Sequence, residues 1–263
     1  MSHAPSLRER ILRGDDVVGT MALEFLTLGA GPLAAHAGAD FVVFDAEHSG
    51  RDWQTLAAVT ATTRATTASP IIRVPTVDPS AVSRALDLGA HGVMVPLVAD
   101  AEQARALAAA SRYPPAGRRG AVFGLAQDDY AEVDAVEAMA RRDAETVLIL
   151  QIETVEGVGN ADAIAAVDGV DVLWVGHLDL TASMGIPGRF DDPRYLDAID
   201  RVAAAAAAHG KAAGFADLTG TMAPDLRRRG YHVLAAGVDY QLYSSALRRV
   251  ISDVRPAPQE RQK

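Results

Sequence analysis

Residues 147–180 read VLILQIETVEGVGNADAIAAVDGVDVLWVGHLDL. An apolar run rich in branched side chains, Val147–Ile152, is followed by an alanine-rich segment with helical spacing, Ala161–Val167, and then by a second apolar run, Val172–Val175. Runs this short, apolar on both faces and bounded by turn residues, read as buried strands, and a helix between two of them makes a parallel pair. The same unit recurs on either side. Upstream lie Val17–Leu23, Phe41–Asp45, Pro70–Val74 and Gly92–Pro96; downstream lie Ala212–Phe215 and His232–Ala236. Helix candidates fill the gaps: Pro32–Ala37, Trp53–Thr66, Pro79–Leu88, Ala101–Ser111, Pro193–His209 and Met222–Arg229, with an eighth, Tyr240–Ile251, after the last strand. Eight strands alternating with eight helices predict a (β/α)₈ TIM barrel. A doubly wound open sheet would carry a glycine-rich phosphate turn after its first strand, and Glu24-Phe25-Leu26-Thr27-Leu28-Gly29-Ala30-Gly31 has no such spacing.

The length fits one barrel: 263 residues, read as a single domain over 1–254 with a disordered tail at 255–263. One connection breaks the rhythm. Arg112–Glu145 is long and polar, and loops of that length read as lids or substrate loops. The chain has no cysteine, which excludes disulfides, thiolate metal sites and a cysteine nucleophile. A net charge of −9, with no arginine stripe interleaved with aromatics, speaks against nucleic acid as a partner and leaves small molecules. MSHAPSLRERILRGDD at the start lacks the apolar core of a signal peptide, and no stretch is apolar enough to span a membrane, so a cytoplasmic protein with no membrane partner is expected.

In a barrel of this kind the active site lies at the C-terminal ends of the strands. Reactive side chains gather there: Asp45-Ala46-Glu47-His48 after the second run, Arg73 in the third, Gln151-Ile152-Glu153 in the fifth and Gly176-His177-Leu178-Asp179 after the sixth. Glu153 and Asp179 close neighbouring strands, and two carboxylates without cysteine suit a hard cation such as Mg²⁺ or Mn²⁺. Ion pairs with rim arginines explain them equally well. His48 follows two acids, and Asp45 is expected to orient its imidazole as a general-base dyad; a hydrogen-bonded structural histidine is the plainer alternative. Arg73 suits a carboxylate or enolate oxygen, or else an ion pair with Glu47 or Asp45. His177 either lines the site or packs the turn. His36, His91, His209 and His232 fall at helix or strand starts, where surface or capping roles are the default.

Taken in order, Phe44-Asp45-Ala46-Glu47-His48-Ser49, Arg73-Val74-Pro75, Tyr113-Pro114-Pro115-Ala116-Gly117-Arg118-Arg119-Gly120, Gln151-Ile152-Glu153-Thr154 and Gly176-His177-Leu178-Asp179-Leu180-Thr181 resemble the motifs of the HpcH/HpaI aldolase family, over about residues 15–250. The resemblance implies a phosphoenolpyruvate/pyruvate-type barrel and a class II pyruvate aldolase that uses Mg²⁺, Mn²⁺ or Co²⁺. It implies Glu153 and Asp179 as metal ligands, and Gln151, Leu178, Asp179 and Arg73 at the 2-oxo acid. It also implies His48 as the base, Arg73 as the enolate-stabilising residue, and Asp45 and Asp87 as the acids associated with the histidine. A homo-oligomer, trimer or hexamer, with the helix Tyr240–Ile251 exchanged between subunits, is expected on the same ground. The chain departs from the pattern at Gly176-His177, where most relatives have Gly-Pro, and in the segment after Gly120, which is expected to contact the aldehyde.

The reaction so implied is cleavage or formation of the C3–C4 bond of a 4-hydroxy-2-oxo acid, giving pyruvate or hydroxypyruvate plus an aldehyde. Schiff-base chemistry needs a lysine in the pocket. The chain has two lysines, Lys211 before the seventh strand, at the wrong end of the barrel, and Lys263 in the tail. Two rival readings remain at this point: an acyl-CoA lyase of the malyl-CoA or citramalyl-CoA type, which would need basic residues for the CoA phosphates, and a non-catalytic barrel that binds 2-oxo acids.

Overall fold

Strand and helix alternate in chain order through residues 5–255, which the computed structural model describes. The first half comprises α1 (Leu7–Leu12), β1 (Val17–Ala22), α2 (Ala30–His36), β2 (Phe41–Asp45), α3 (Trp53–Arg64), β3 (Ser69–Arg73), α4 (Pro79–Asp87), β4 (Gly92–Val95) and α5 (Ala101–Ser111). The second comprises α6 (Ala135–Glu145), β5 (Val147–Ile152), α7 (Val155–Gly159), α8 (Ala161–Ala165), β6 (Val172–Val175), α9 (His177–Ser183), α10 (Pro193–Ala208), β7 (Ala212–Asp217), α11 (Ala223–Arg228), β8 (Tyr231–Val238) and α12 (Asp239–Val254). Of the expected tail only Arg255 is described; residues 256–263 lie outside. No helix among the described residues is long and apolar enough to cross a membrane.

Local chemistry starts the helices. Asp52, Asp78, Asp100, Asp134 and Asp192 precede α3, α4, α5, α6 and α10, and each carboxylate accepts a hydrogen bond from a backbone N–H of the first turn. An orphan donor is satisfied and the negative charge sits at the positive end of the helix dipole.

The eight strands form a closed parallel barrel in sequential order, with β1 also paired to β8. Side chains alternate between two cores. Met21, Phe41, Val43, Ile71, Met94, Val147, Ile149, Val172, Trp174 and Val233 fill the barrel, and Leu7 and Ile11 of α1 pack against the same cluster. The intervening residues, among them Val42, Phe44, Ile72, Val93, Leu148, Leu150, Leu173 and Phe215, pack outward against the helices. Trp174 fits inside because Gly214 faces it: a Cβ there would lie 2.3 Å from the indole ring.

The long connection Arg112–Glu145 does not lie over the strand C-termini of its own barrel. Helix α5 has already returned the chain to the opposite end, so the segment runs across the N-terminal face and contains α6. It is held there by Arg64–Asp129 (2.7 Å), Arg119–Asp87 (2.9 Å) and Arg142–Asp128 (2.8 Å). A lid over this chain's own site is thereby corrected.

Candidate active site

Strand alternation carries polar groups up the barrel axis. In β5, Val147 and Ile149 face inward, so Gln151 shares their face and Glu153 continues it just past the strand. In β2 the inward series Phe41, Val43 ends in Asp45, and in β3 Ile71 is followed by Arg73. The three strands thus deliver an acid, a guanidinium and an amide to one mouth. There a cavity of about 160 Å³ is lined by His48, Arg73, Gln151, Glu153, His177, Leu178 and Asp179, with Met21, Trp174 and Tyr240 among its other walls. It has room for a small organic acid.

Asp45 is fully buried and its carboxylate is spent on two backbone amides and one guanidinium: it accepts from the N–H groups of Glu47 and His48, both at 3.0 Å, and from Arg73 Nε at 2.6 Å. It therefore shapes the turn that presents His48 but does not touch the imidazole, contrary to the expected dyad. Glu47 is the carboxylate beside the ring, with Oε2 at 3.6 Å from His48 Nε2 and 3.1 Å from Arg73 Nη1. Arg73 makes both of the ion pairs its position allowed, and its Nη2 donates to no described residue.

Glu153 is buried, with Oε1 accepting from Leu97 N at 2.6 Å and Oε2 from Gln151 Nε2 at 3.2 Å. Burial is the largest cause lifting its carboxyl to about 7, with Glu47 and Asp179 adding to the rise and the Leu97 N–H opposing it. Leu97 donates from a left-handed backbone, φ 55°, a conformation that costs a leucine energy and that here aims one N–H at the acid. Gly176 makes the space: a Cβ at this position would lie 1.9 Å from Glu153 Oε2. Asp179 and Leu178, in the first turn of α9, are exposed, and the Asp179 carboxylate has no hydrogen-bond partner among the described residues. Gln151 Oε1 is buried and likewise unpartnered.

These donors fit a hard divalent cation. A buried acid that resists ionisation, a free carboxylate and an orphan amide oxygen are all answered by a positive charge among them. Among the described residues no cluster of three or more histidines and acids is arranged to hold an ion. Glu153 and Asp179 are the two carboxylates that would hold such a cation, leaving the rest of its shell to water or substrate oxygens.

His177 does both things its position allowed. Its ring stacks on Phe215 (centroids 5.2 Å apart) and meets Phe190 edge-on (5.3 Å), burial holds its pKa below the usual imidazole value, and the residue contributes to the cavity wall. Asp87 is not brought to His48. It ends α4 at the N-terminal face of the barrel and pairs with Arg119. Lys211 precedes β7 at that same face, away from the cavity. Sequence reasoning missed the Leu97 amide and the approach of Glu47 to the His48 ring, for which neither residue type nor spacing gives a signal.

A family model described as HpcH/HpaI aldolase/citrate lyase matches residues 32–246. The chain is 36% identical over 229 residues to a hydroxypyruvate/pyruvate aldolase of Pseudomonas aeruginosa, covering 86% of this chain and 85% of the other. It is 35% identical to a 2-keto-3-deoxy-L-rhamnonate aldolase of Klebsiella pneumoniae, covering 91% and 89%. In three dimensions it is similar to the crystal structure of an HpcH/HpaI aldolase from Desulfitobacterium hafniense, with a TM-score of 0.91, 29% identity, and 98% and 100% of the two chains covered.

Proposed function

The chain belongs to the HpcH/HpaI aldolase/citrate lyase family, and we propose that it is a divalent-metal-dependent carbon–carbon lyase. Its substrates are 4-hydroxy-2-oxo acids, cleaved or formed at C3–C4 to give pyruvate or hydroxypyruvate and an aldehyde. One observation carries the reading: a base, a guanidinium and a cation-demanding carboxylate pair converge on one small cavity, on a chain whose relatives are aldolases.

Mg²⁺, Mn²⁺ or Co²⁺ held by Glu153 and Asp179 would supply Lewis acidity at the 2-oxo group. Gln151 and the backbone at Leu178 border the space for the acid. Arg73, fixed on two sides by Asp45 and Glu47, keeps Nη2 free for the oxygen on which negative charge collects as the C3–C4 bond breaks. His48 takes the 4-hydroxyl proton, directly or through water, and returns it in the synthetic direction. Arg73 is the one arginine or lysine among the described residues lining this cavity, which disfavours the CoA phosphates of the rival lyase.

We also propose that copies exchange α12 in a trimer or hexamer. None of its residues is buried, and Leu242, Tyr243, Leu247, Val250 and Ile251 are exposed. Beside its start, a largely apolar groove of about 520 Å³ lined by Val18, Ala30, Leu33, Ala34 and Val42 opens on the outer face of β1.

The test is pyruvate or hydroxypyruvate release from a panel of 4-hydroxy-2-oxo acids with each cation and after EDTA. Release that EDTA abolishes and added cation restores is expected; no release with any cation overturns the proposal.

A further inference from the structure

The Glu47 side chain does nothing for the fold that the structure reveals. Among the described residues its carboxylate accepts no backbone hydrogen bond and caps no helix, and it sits largely buried, with burial pushing its pKa up against the pull of Arg73 and His48. An acid held so poorly solvated beside three other carboxylates, Asp45, Glu153 and Asp179, is costly to keep ionised unless Arg73 and the His48 ring need it. Both contacts are made by one atom: Oε2 faces Arg73 Nη1 at 3.1 Å and His48 Nε2 at 3.6 Å. The latter is the one polar contact of the imidazole among the described residues, and the His48 side chain is otherwise 56% exposed. Asp45 cannot take over, because its two oxygens are committed to the amides of residues 47 and 48 and to Arg73 Nε.

We infer that within one copy Glu47, not Asp45, is the carboxylate that positions the His48 imidazole, and that the same carboxylate oxygen fixes the guanidinium of Arg73. It is a positioning residue: it reaches the reacting atoms only through its two neighbours. This rests on the aldolase reading above. When His48 accepts the hydroxyl proton, the imidazolium gains a partner already in place, and Arg73 stays oriented with Nη2 towards the developing enolate. Both effects act on the transition state more than on bound substrate, so the loss belongs in kcat.

The experiment compares wild type, Glu47→Gln and Glu47→Asp in three readouts with Mg²⁺ present. These are kcat for cleavage of a 4-hydroxy-2-oxo acid, the dissociation constant of pyruvate by calorimetry, and the rate at which pyruvate's methyl hydrogens exchange with D₂O, followed by NMR. Glu47→Gln is expected to lower kcat by about 10- to 100-fold, as misplacing a reacting group does, to slow exchange with it through Arg73, and to change the pyruvate constant by less than about twofold. Glu47→Asp restores the charge on a shorter arm and recovers part of both rates. If the Gln variant does not fold, the Asp variant carries the same comparison. A kcat within about twofold of wild type, or pyruvate binding lost in step with activity, overturns the inference. Wild type that neither exchanges pyruvate nor cleaves any of the acids strikes the aldolase reading instead.

Discussion

Gly176 governs the acid beside it by having no side chain. Its φ of −87° is open to any residue, so the effect of Gly176→Ala is purely one of space: the new Cβ lies 1.9 Å from Glu153 Oε2 and 2.8 Å from Glu153 Cβ. Glu153 is pinned on its other side by the Leu97 amide and must give way. The expected outcome is a cation requirement raised about 10-fold or more, read as the Mn²⁺ concentration for half-maximal activity, since displacing a ligand or its support typically costs that much. An unchanged requirement would remove Glu153 from the metal site. At this scale the inward-facing residues were readable from sequence: Arg73, Gln151 and Glu153 sit on strands or one step beyond, where the period of two still holds. Beyond Asp45 that period lapses, and backbone hydrogen bonds decide which acid meets the ring. That is why Glu47 stands beside the ring where Asp45 is expected.

Elements were legible where their apolar pattern was strong. Strands β2, β5 and β6 match their predicted limits, and the others are displaced by one or two residues. Helix α6, with Ala-Val-Glu-Ala-Met-Ala-Arg-Arg-Asp-Ala-Glu, offers little apolar stripe and falls where the sequence predicts a loop; the Asp134 cap and the ion pair of Arg142 with Asp128 hold it instead. The start of β4 carries a second consequence of burial. His91 sits with Nδ1 3.2 Å from Ser69 Oγ, and burial, aided by Arg64 and Arg142, pushes its pKa down from 6.5 to about 4. The folded value lies below the unfolded one, so between about pH 6.5 and 4 the unfolded chain binds a proton that the folded chain refuses. Stability contributed by neutral His91 is present above that window and is lost as pH falls through it, by at most about 1.4 kcal/mol per pH unit. Urea unfolding at pH 7, 6 and 5 is expected to show wild type losing stability more steeply than His91→Gln; equal slopes would mean that the folded and unfolded chains titrate this histidine alike.

For the whole molecule, closure of the barrel sets which residues can meet within one copy. His48 stands at the C-terminal face, and Asp87 ends a helix at the N-terminal face, 37% exposed and paired with Arg119. A single sequence makes the motif readable but not the face on which each member emerges, because that depends on the direction of the helix carrying it. If Asp87 serves a histidine, as the family resemblance implies, the histidine belongs to another copy, and each site is shared. Two inactive variants then complement each other. Asp87→Asn supplies an intact His48, and His48→Ala supplies an intact Asp87. Random mixing of equal amounts by co-refolding would rebuild about one site in four in a symmetric assembly. Recovery of about a quarter of wild-type activity, with neither variant active alone, is the expected result. Placing Leu247→Glu on the exposed face of α12 in both chains is expected to abolish the recovery by blocking assembly, as sedimentation would register. An Asp87→Asn variant with full activity, or verified mixed oligomers that regain nothing, would confine Asp87 to holding Arg119 at the foot of its own barrel.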